Sequence, residues 1–360
     1  MKVAFISRAT LYSTPGGDTK QLDLTAHYLR ETGVEVDIYL TNQPIDYSKY
    51  DLLHFFNIIR PADIIGHIEL SGKPYVVSTI FLDYGEFEKQ TRGGLMKWMN
   101  KIFSEDQIEY IKAIARWLKN GEKIGSVNYL LWGHRKSVKW VAKHAGILLP
   151  NSENEYRRLA KKYNIEHAYR VVPNGIDASV AHRVSKKNPK YENAILCVAR
   201  IEGRKNQLNL IRALNNTQFK VFIHGKPSPN NIAYYEQCKA EAAENIHFST
   251  WLSEEELYEM YYSAKVHILP SYFETTGLSS LEAAVMGCNI VVTDKGDTKD
   301  YFENDAWFCD PDDLASIRSA VEAAYNAPYN PDFRKKILEN YTWERAAEET
   351  LAAYKQVLKL

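Results

Sequence analysis

The chain has 360 residues, too many for one ordinary hydrophobic core and enough for two domains. Apolar residues make up 45% and charged residues 25%, a soluble globular composition, and no run of about 18 apolar residues offers a membrane span. Lys plus Arg equals Asp plus Glu, 45 each, which excludes a molecule-wide field for recruiting nucleic acid.

The opening MKVAFISRA is too short in its apolar run for a signal sequence and is read as a first β-strand, Val3–Ser7. The loop after it, Ser13–Asp18, carries Gly16 and Gly17, whose backbone N–H groups can face a phosphate. Read alone, that pair is as well explained by a plain turn. A helix is predicted over Thr19–Glu31, with Leu22, Ala26 and Leu29 on one face and Gly33 as its stop. Short β-branched and aromatic runs predict buried strands at Val36–Leu40, Leu52–Phe56, Tyr75–Ile80 and Gly146–Leu149.

Between the last two lies a basic stretch, Arg92–Lys143. It holds eleven Lys and Arg against four acids, a net of +7, with Trp98, Phe103, Trp117, Trp132 and Trp140 interleaved. Such a pattern suits an anionic membrane surface or a phosphorylated lipid-linked acceptor, and equally suits packed helices with solvated lysines. Turn residues at Pro173–Asp177 and the polar run Ser185–Glu192 place an inter-domain linker there.

The second half repeats the alternation, with strands predicted at Ala194–Val198, Lys220–His224, Ile246–Phe248, Val266–Leu269, Ile290–Thr293 and Ala306–Phe308. Arg200 closes the first of these and Lys205 follows before a helix, a placement that suits neutralising a pyrophosphate, though two solvated charges would look the same. The segment Pro270–Gly287 reads strand end, loop with Glu274, and a helix opening near Gly277, with Glu282 inside it. A helix start presents free N–H groups and a positive dipole end to a diphosphate, and Gly277 permits close approach. Glu282 suits a ribose diol and Glu274 sugar hydroxyls. Asp310-Pro311-Asp312 mimics a metal-binding D-x-D, but a helix start capped by Asp312 or Asp310 is the simpler account, and no metal site is expected. The four cysteines are scattered without a C-x-x-C pair and read as buried thiols of a reducing cytoplasm. The final stretch, Thr342–Leu360, is an amphipathic helix. The alternation of strand and helix throughout makes the fold α/β, with ligands expected at the carboxyl ends of parallel strands.

These segments resemble glycosyltransferase family four, the retaining group with the GT-B fold. The resemblance rests on Glu274 and Glu282 with seven residues between them, on Gly277-Leu278, and on Ala283 leading to Gly287. It rests also on Arg200 and Lys205 as an R-x4-K pair, on Pro173–Asp177, and on Gly16–Gly17. It is strong over residues 170–360 and thinner before them. It implies two Rossmann-like domains facing each other across a cleft: an acceptor-side domain over 1–177, a donor-binding domain over 178–342, and a helix over 343–360 crossing back to the first.

It further implies a nucleoside diphosphate sugar (UDP- or GDP-sugar) as donor, a hydroxyl of a glycan or lipid-linked acceptor, retention of anomeric configuration, no cofactor and no metal. The location implied is cytoplasmic, with peripheral contact at the inner membrane face. The donor-binding residues would be Gly16, Gly17, Arg200, Lys205, Glu274, Thr275, Thr276, Gly277, Leu278 and Glu282, with Glu274, Arg200 and Lys205 also catalytic.

Two departures stand out. The family's T-x-H-D histidine is absent from Ser78–Tyr84, leaving Asp83 or a histidine from elsewhere, such as His134, to act. The usual G-F after the first Glu is Thr275-Thr276. Two rivals are a non-catalytic sugar-nucleotide-binding partner and a dinucleotide-dependent oxidoreductase, the latter disfavoured by the missing glycine fingerprint.

Overall fold

A computed structural model describes residues 1–82, 103–120 and 124–360, so Asp83 and part of the basic stretch lie outside the described residues. The chain divides into two units, one of residues 1–174 with 343–360 and one of residues 175–342.

In the first unit the strands are β1 (Lys2–Ser7), β2 (Glu35–Leu40), β3 (Leu52–Phe56), β4 (Tyr75–Ser78) and β5 (Ile147–Leu149). All pair in parallel, in the order β2-β1-β3-β4-β5. Helix α1 (Gly17–Glu31) starts at Gly16, buries Leu22, Ala26 and Leu29, and ends where Gly33 takes a φ of 85°. Helices α2 (Pro61–Ser71), α3 (Glu105–Asn120), α4 (Val127–His144) and α5 (Glu153–Tyr163) complete the layers. Strand β4 stops at Ser78, two residues short of the expected end. There Ile80 swings to a φ of 42°, and the backbone N–H of Phe81 donates to the buried carboxylate of Glu155 (2.8 Å).

The second unit holds β6 (Ile195–Val198), α6 (Gln207–Leu214), β7 (Val221–His224), α7 (Ile232–Glu241), β8 (Ile246–Ser249), α8 (Glu254–Ser263) and β9 (Val266–Leu269). It continues with α9 (Leu278–Val285), β10 (Asn289–Thr293), α10 (Thr298–Phe302), β11 (Trp307–Cys309), α11 (Leu314–Asn326) and α12 (Pro331–Asn340). Its strands are also parallel throughout, ordered β11-β10-β9-β6-β7-β8. Each unit therefore has its own core beneath helices, and the α/β reading of the sequence stands as two Rossmann-like sheets.

The polar run Ser185–Glu192 is no linker. Asn188 bonds Ser263 and Glu259 through its backbone and amide (2.7 and 3.0 Å), and Tyr191 is buried in the second core. The chain passes between units at Asn174 and Gly175, and a Cβ at Gly175 would sit 2.2 Å from the backbone of Thr342. Helix α13 (Trp343–Leu358) follows the second unit yet packs in the first. Its Tyr354 hydroxyl bonds buried His54 on β3 (2.6 Å), and its Glu349 pairs with Arg170 (2.8 Å).

Candidate functional site

Parallel sheets bind ligands where neighbouring strands send their crossovers in opposite directions, because the loops part there. In the second unit that point lies between β6 and β9. The loop after β6 carries Arg200 and Lys205, and the loop after β9 carries Glu274 and Gly277, so the two motifs far apart in sequence become neighbours. Lys205 and Glu274 join in a buried ion pair, to which Ser271 adds a hydroxyl donor (3.2 Å). Burial opposes charge on Glu274, yet Lys205 and Arg204 overcome it and hold the carboxyl below its ordinary pKa. Burial likewise pulls the Lys205 ammonium down, and Glu274 resists that pull. With the two groups touching, the pair rests ionised.

Arg200 stands apart from this pair. Its side chain is half exposed, with Glu202 at 3.5 Å, so it is a cation available at the sheet's carboxyl end. Arg204 instead is held in place, donating to Phe273 O (2.9 Å) and Glu202 (3.0 Å), and so braces the Glu274 loop. That loop is fixed from below as well. The Glu274 N–H donates to Lys295 O (3.0 Å), Asp297 N–H donates to Glu274 O (2.9 Å), and a Cβ on Gly296 would lie 2.0 Å from Glu274 O.

Helix α9 opens from Gly277, whose φ of 68° no β-carbon-bearing residue adopts cheaply. No side chain caps its first turn, and it begins directly after the loop of Glu274. Glu282 is buried within the same helix beside Tyr258 and Tyr261; burial first, then the Glu282 charge, raises both phenols. Thr275 is partly exposed, as is Leu278, whereas Thr276 turns inward to the hydroxyl of Tyr301 (3.3 Å). Asp310 accepts from the Asp312 N–H (3.0 Å) and Asp313 caps α11 through Ala315 (2.8 Å). The expected cap at Asp312 or Asp310 is thus corrected by one residue.

Three residues that the motifs did not single out position this site. His267, fully buried on β9, accepts from the Val198 N–H through Nε2 (3.4 Å). Burial pushes its pKa to about 3, so the ring is neutral, its proton is on Nδ1, and Ser280 Oγ accepts it (3.1 Å). One histidine thus ties the end of β6 to the first turn of α9. Asn206, in the left-handed region at φ 60°, donates to Pro270 O (3.1 Å) and Pro311 O (2.8 Å), binding three loops together. The sequence hint was there, an amide directly after Lys205, but its partners are about 64 and 105 residues away.

In the first unit the switch point falls between β1 and β3, where Gly16 closes the loop after β1 and Gly17 opens α1. Arg8 laces this loop, bonding Asp18 (2.7 Å), Thr10 O (2.8 Å) and Thr14 Oγ1 (3.0 Å). A Cβ on Gly17 would meet nothing within 4 Å, so the start of α1 is open. His134 is buried on α4 and lines a recess against α3; burial lowers its pKa.

Residues 179–342 match the family model described as glycosyl transferases group 1. Residues 179–342 are a group 1 glycosyl transferase domain. This glycosyl transferase domain is nearly the whole second unit and contains Arg200, Lys205, Glu274 and Glu282. Over 216 residues, 56% of this chain and 50% of the relative, the sequence is 26% identical to a probable sucrose-phosphate synthase of Thermosipho melanesiensis. The chain therefore spans about half the length of the curated relatives it matches. By structure it is similar to sucrose-phosphate synthase from Thermosynechococcus elongatus (TM-score 0.75, 16% identity, covering 100% and 99% of the two chains). It is similar also to Anabaena HepE in complex with UDP and glucose (TM-score 0.67, 14% identity, 99% of each). These likenesses extend the glycosyltransferase fold, GT-B, over both units.

Proposed function

We propose that the protein is a retaining glycosyltransferase that moves a sugar from a UDP- or GDP-sugar to a hydroxyl of a glycan or lipid-linked acceptor. The observation that carries this reading is the meeting of Arg200, the Lys205–Glu274 pair and the start of α9 at one switch point of a group 1 glycosyl transferase domain. HepE, solved with UDP and glucose, supports the choice of a nucleotide-linked donor.

In this reading the diphosphate lies on the N–H groups of α9. It draws Lys205 from Glu274, so Glu274 is released to accept from sugar hydroxyls. Glu282 holds the ribose diol. Arg200 and Lys205 meet the charge that develops on the leaving diphosphate, where preorganised cations lower a barrier most. Gly16, Gly17 and Thr275 belong to the donor side, and Asp83 is the proposed residue in place of the family's histidine. Chemistry of this kind needs no cofactor. Labelled UDP- and GDP-sugars should be hydrolysed or transferred by the purified protein, with the α-anomeric configuration of the donor kept in the first-formed product by NMR. Nucleotide binding with neither reaction would favour a sugar-nucleotide-binding partner protein instead.

The acceptor side is proposed to meet an anionic membrane. On α3 the acids are already matched, since Lys112 pairs with Glu109 (2.7 Å), Arg135 with Asp106 (3.0 Å) and Lys162 with Glu105 (2.6 Å). The unmatched positive charge gathers on α4, where Lys136, Lys139 and Lys143 flank Trp132 and Trp140 (ring centroids 5.4 Å apart). Leu131 and Val127, on the segment before the kink at Gly133 (φ 71°), are 75% and 71% exposed. No described helix is long and apolar enough to cross a membrane, so this contact would lie on the surface.

A further inference from the structure

The second unit has a cavity at the end of its sheet opposite Glu274. It measures about 230 Å³ and opens where β10 and β11 begin, walled by Trp307, Phe333 and Tyr329 and edged by Asn289, Asn304 and Asp305. Asn289 is nine-tenths buried, and its amide NH2 is wholly engaged by Ala324 O (2.7 Å) and Ala327 O (3.0 Å). That fixes the flip of the amide and leaves Oδ1 as an acceptor on the cavity side. Across the opening, Asp305 is oriented by Lys336 (3.2 Å) and Asn330 (3.2 Å). Trp307 is partly exposed, and its indole is bonded to nothing among the described residues.

We propose that this cavity is a second binding site, for one neutral sugar ring, separate from the site at Glu274. The lining has the two faces that a pyranose needs. Aromatic walls pack against its C–H face, and fixed amide and carboxylate oxygens accept from neighbouring hydroxyls. A cationic ligand would meet Lys336, and a nucleotide would not fit the volume. From Asn289 to the end of β10 is roughly 13 Å at about 3.3 Å per residue, so one ligand does not reach both sites. The role that follows is anchorage, in which a residue of a sugar chain rests here while the far end of the domain acts. The site stands on this cavity alone and does not depend on the proposed donor site.

Ligand-observed NMR with neutral hexoses and their disaccharides, up to about 50 mM, tests it. Saturation transfer is expected for the wild type, unchanged by saturating UDP. It should be lost in Trp307→Leu and weakened several-fold in Asn304→Ala, an exposed position whose change leaves the fold intact. Transfer that both variants retain, transfer that UDP abolishes, or no transfer from any sugar would each overturn the proposal.

Discussion

At the residue scale, the site is a set of charges whose partners are known before any ligand arrives. Glu282→Ala removes a carboxylate from behind the start of α9. A charge-assisted hydrogen bond is worth roughly 1.5–3 kcal/mol, so nucleotide dissociation constants should rise roughly ten- to hundredfold with the fold retained. Calorimetry showing equal affinity in wild type and variant would remove Glu282 from the ribose. Arg200 is half exposed and held only loosely, so Arg200→Ala should lower turnover more than it weakens donor binding. If kcat is unchanged, Arg200 is an ordinary surface cation.

The buried histidines make a separate prediction. His54 and His267 are each pushed by burial from 6.5 to about 3. Unfolding lets both take protons, so their contribution is whole above pH 6.5 and is lost as pH falls toward about 3. A shift of that size amounts to on the order of 5 kcal/mol per group. Urea midpoints should therefore fall steeply from about pH 7 to about pH 5, and His267→Gln should flatten the slope. An equal slope in the variant would contradict this account of the acid response.

At the scale of elements, the glycines decide how closely loops approach. Gly296, at a φ of 105° with Glu274 O against it, admits no larger residue without moving the Glu274 loop. Gly296→Ala is expected to abolish turnover while the protein stays folded by circular dichroism; wild-type turnover would show that the loop's position does not matter.

The strands, α1 and the start of α9 were legible because apolar runs, a Gly stop and a Gly opening mark them locally. What stayed hidden was long-range. The end of β4 depends on Glu155, some 74 residues away in sequence from Phe81, and no local pattern at Tyr75–Ile80 announces it. The Ser185–Glu192 run looked like a linker because it is polar, yet one asparagine docked on Ser263 and one buried tyrosine fold it into a domain. In the site, residues that carry charge in a family motif could be read. Those that hold them, His267, Ser280 and Asn206, could not, since their role exists only once β6, β9, β10 and β11 lie in one sheet.

At the scale of the whole molecule, the charges cancel in sum but not in place. The acids of α3 are paired, one of them with Arg135 of α4, while Lys136, Lys139 and Lys143 of α4 are not matched, so the surface response should be local. Each Lys near an anionic bilayer contributes about 1 kcal/mol, screened within a Debye length. Co-sedimentation should thus require anionic lipid, weaken as salt rises, and vanish in Lys136→Glu, Lys139→Glu, Lys143→Glu, with nucleotide binding untouched. Indifference to anionic vesicles at low salt would make the acceptor a soluble one.

The central claim is that the second unit binds a nucleoside diphosphate through Arg200, Lys205 and the start of α9. Isothermal titration of UDP and GDP into the full chain, and into Arg200→Ala with Lys205→Ala, measures this most directly. The account predicts that at least one diphosphate binds with a micromolar to low-millimolar dissociation constant. The corresponding monophosphate should bind more weakly, and the double variant should lose the difference between them. Equal affinity for diphosphate and monophosphate in the wild type, or a double variant that binds as the wild type does, would contradict it.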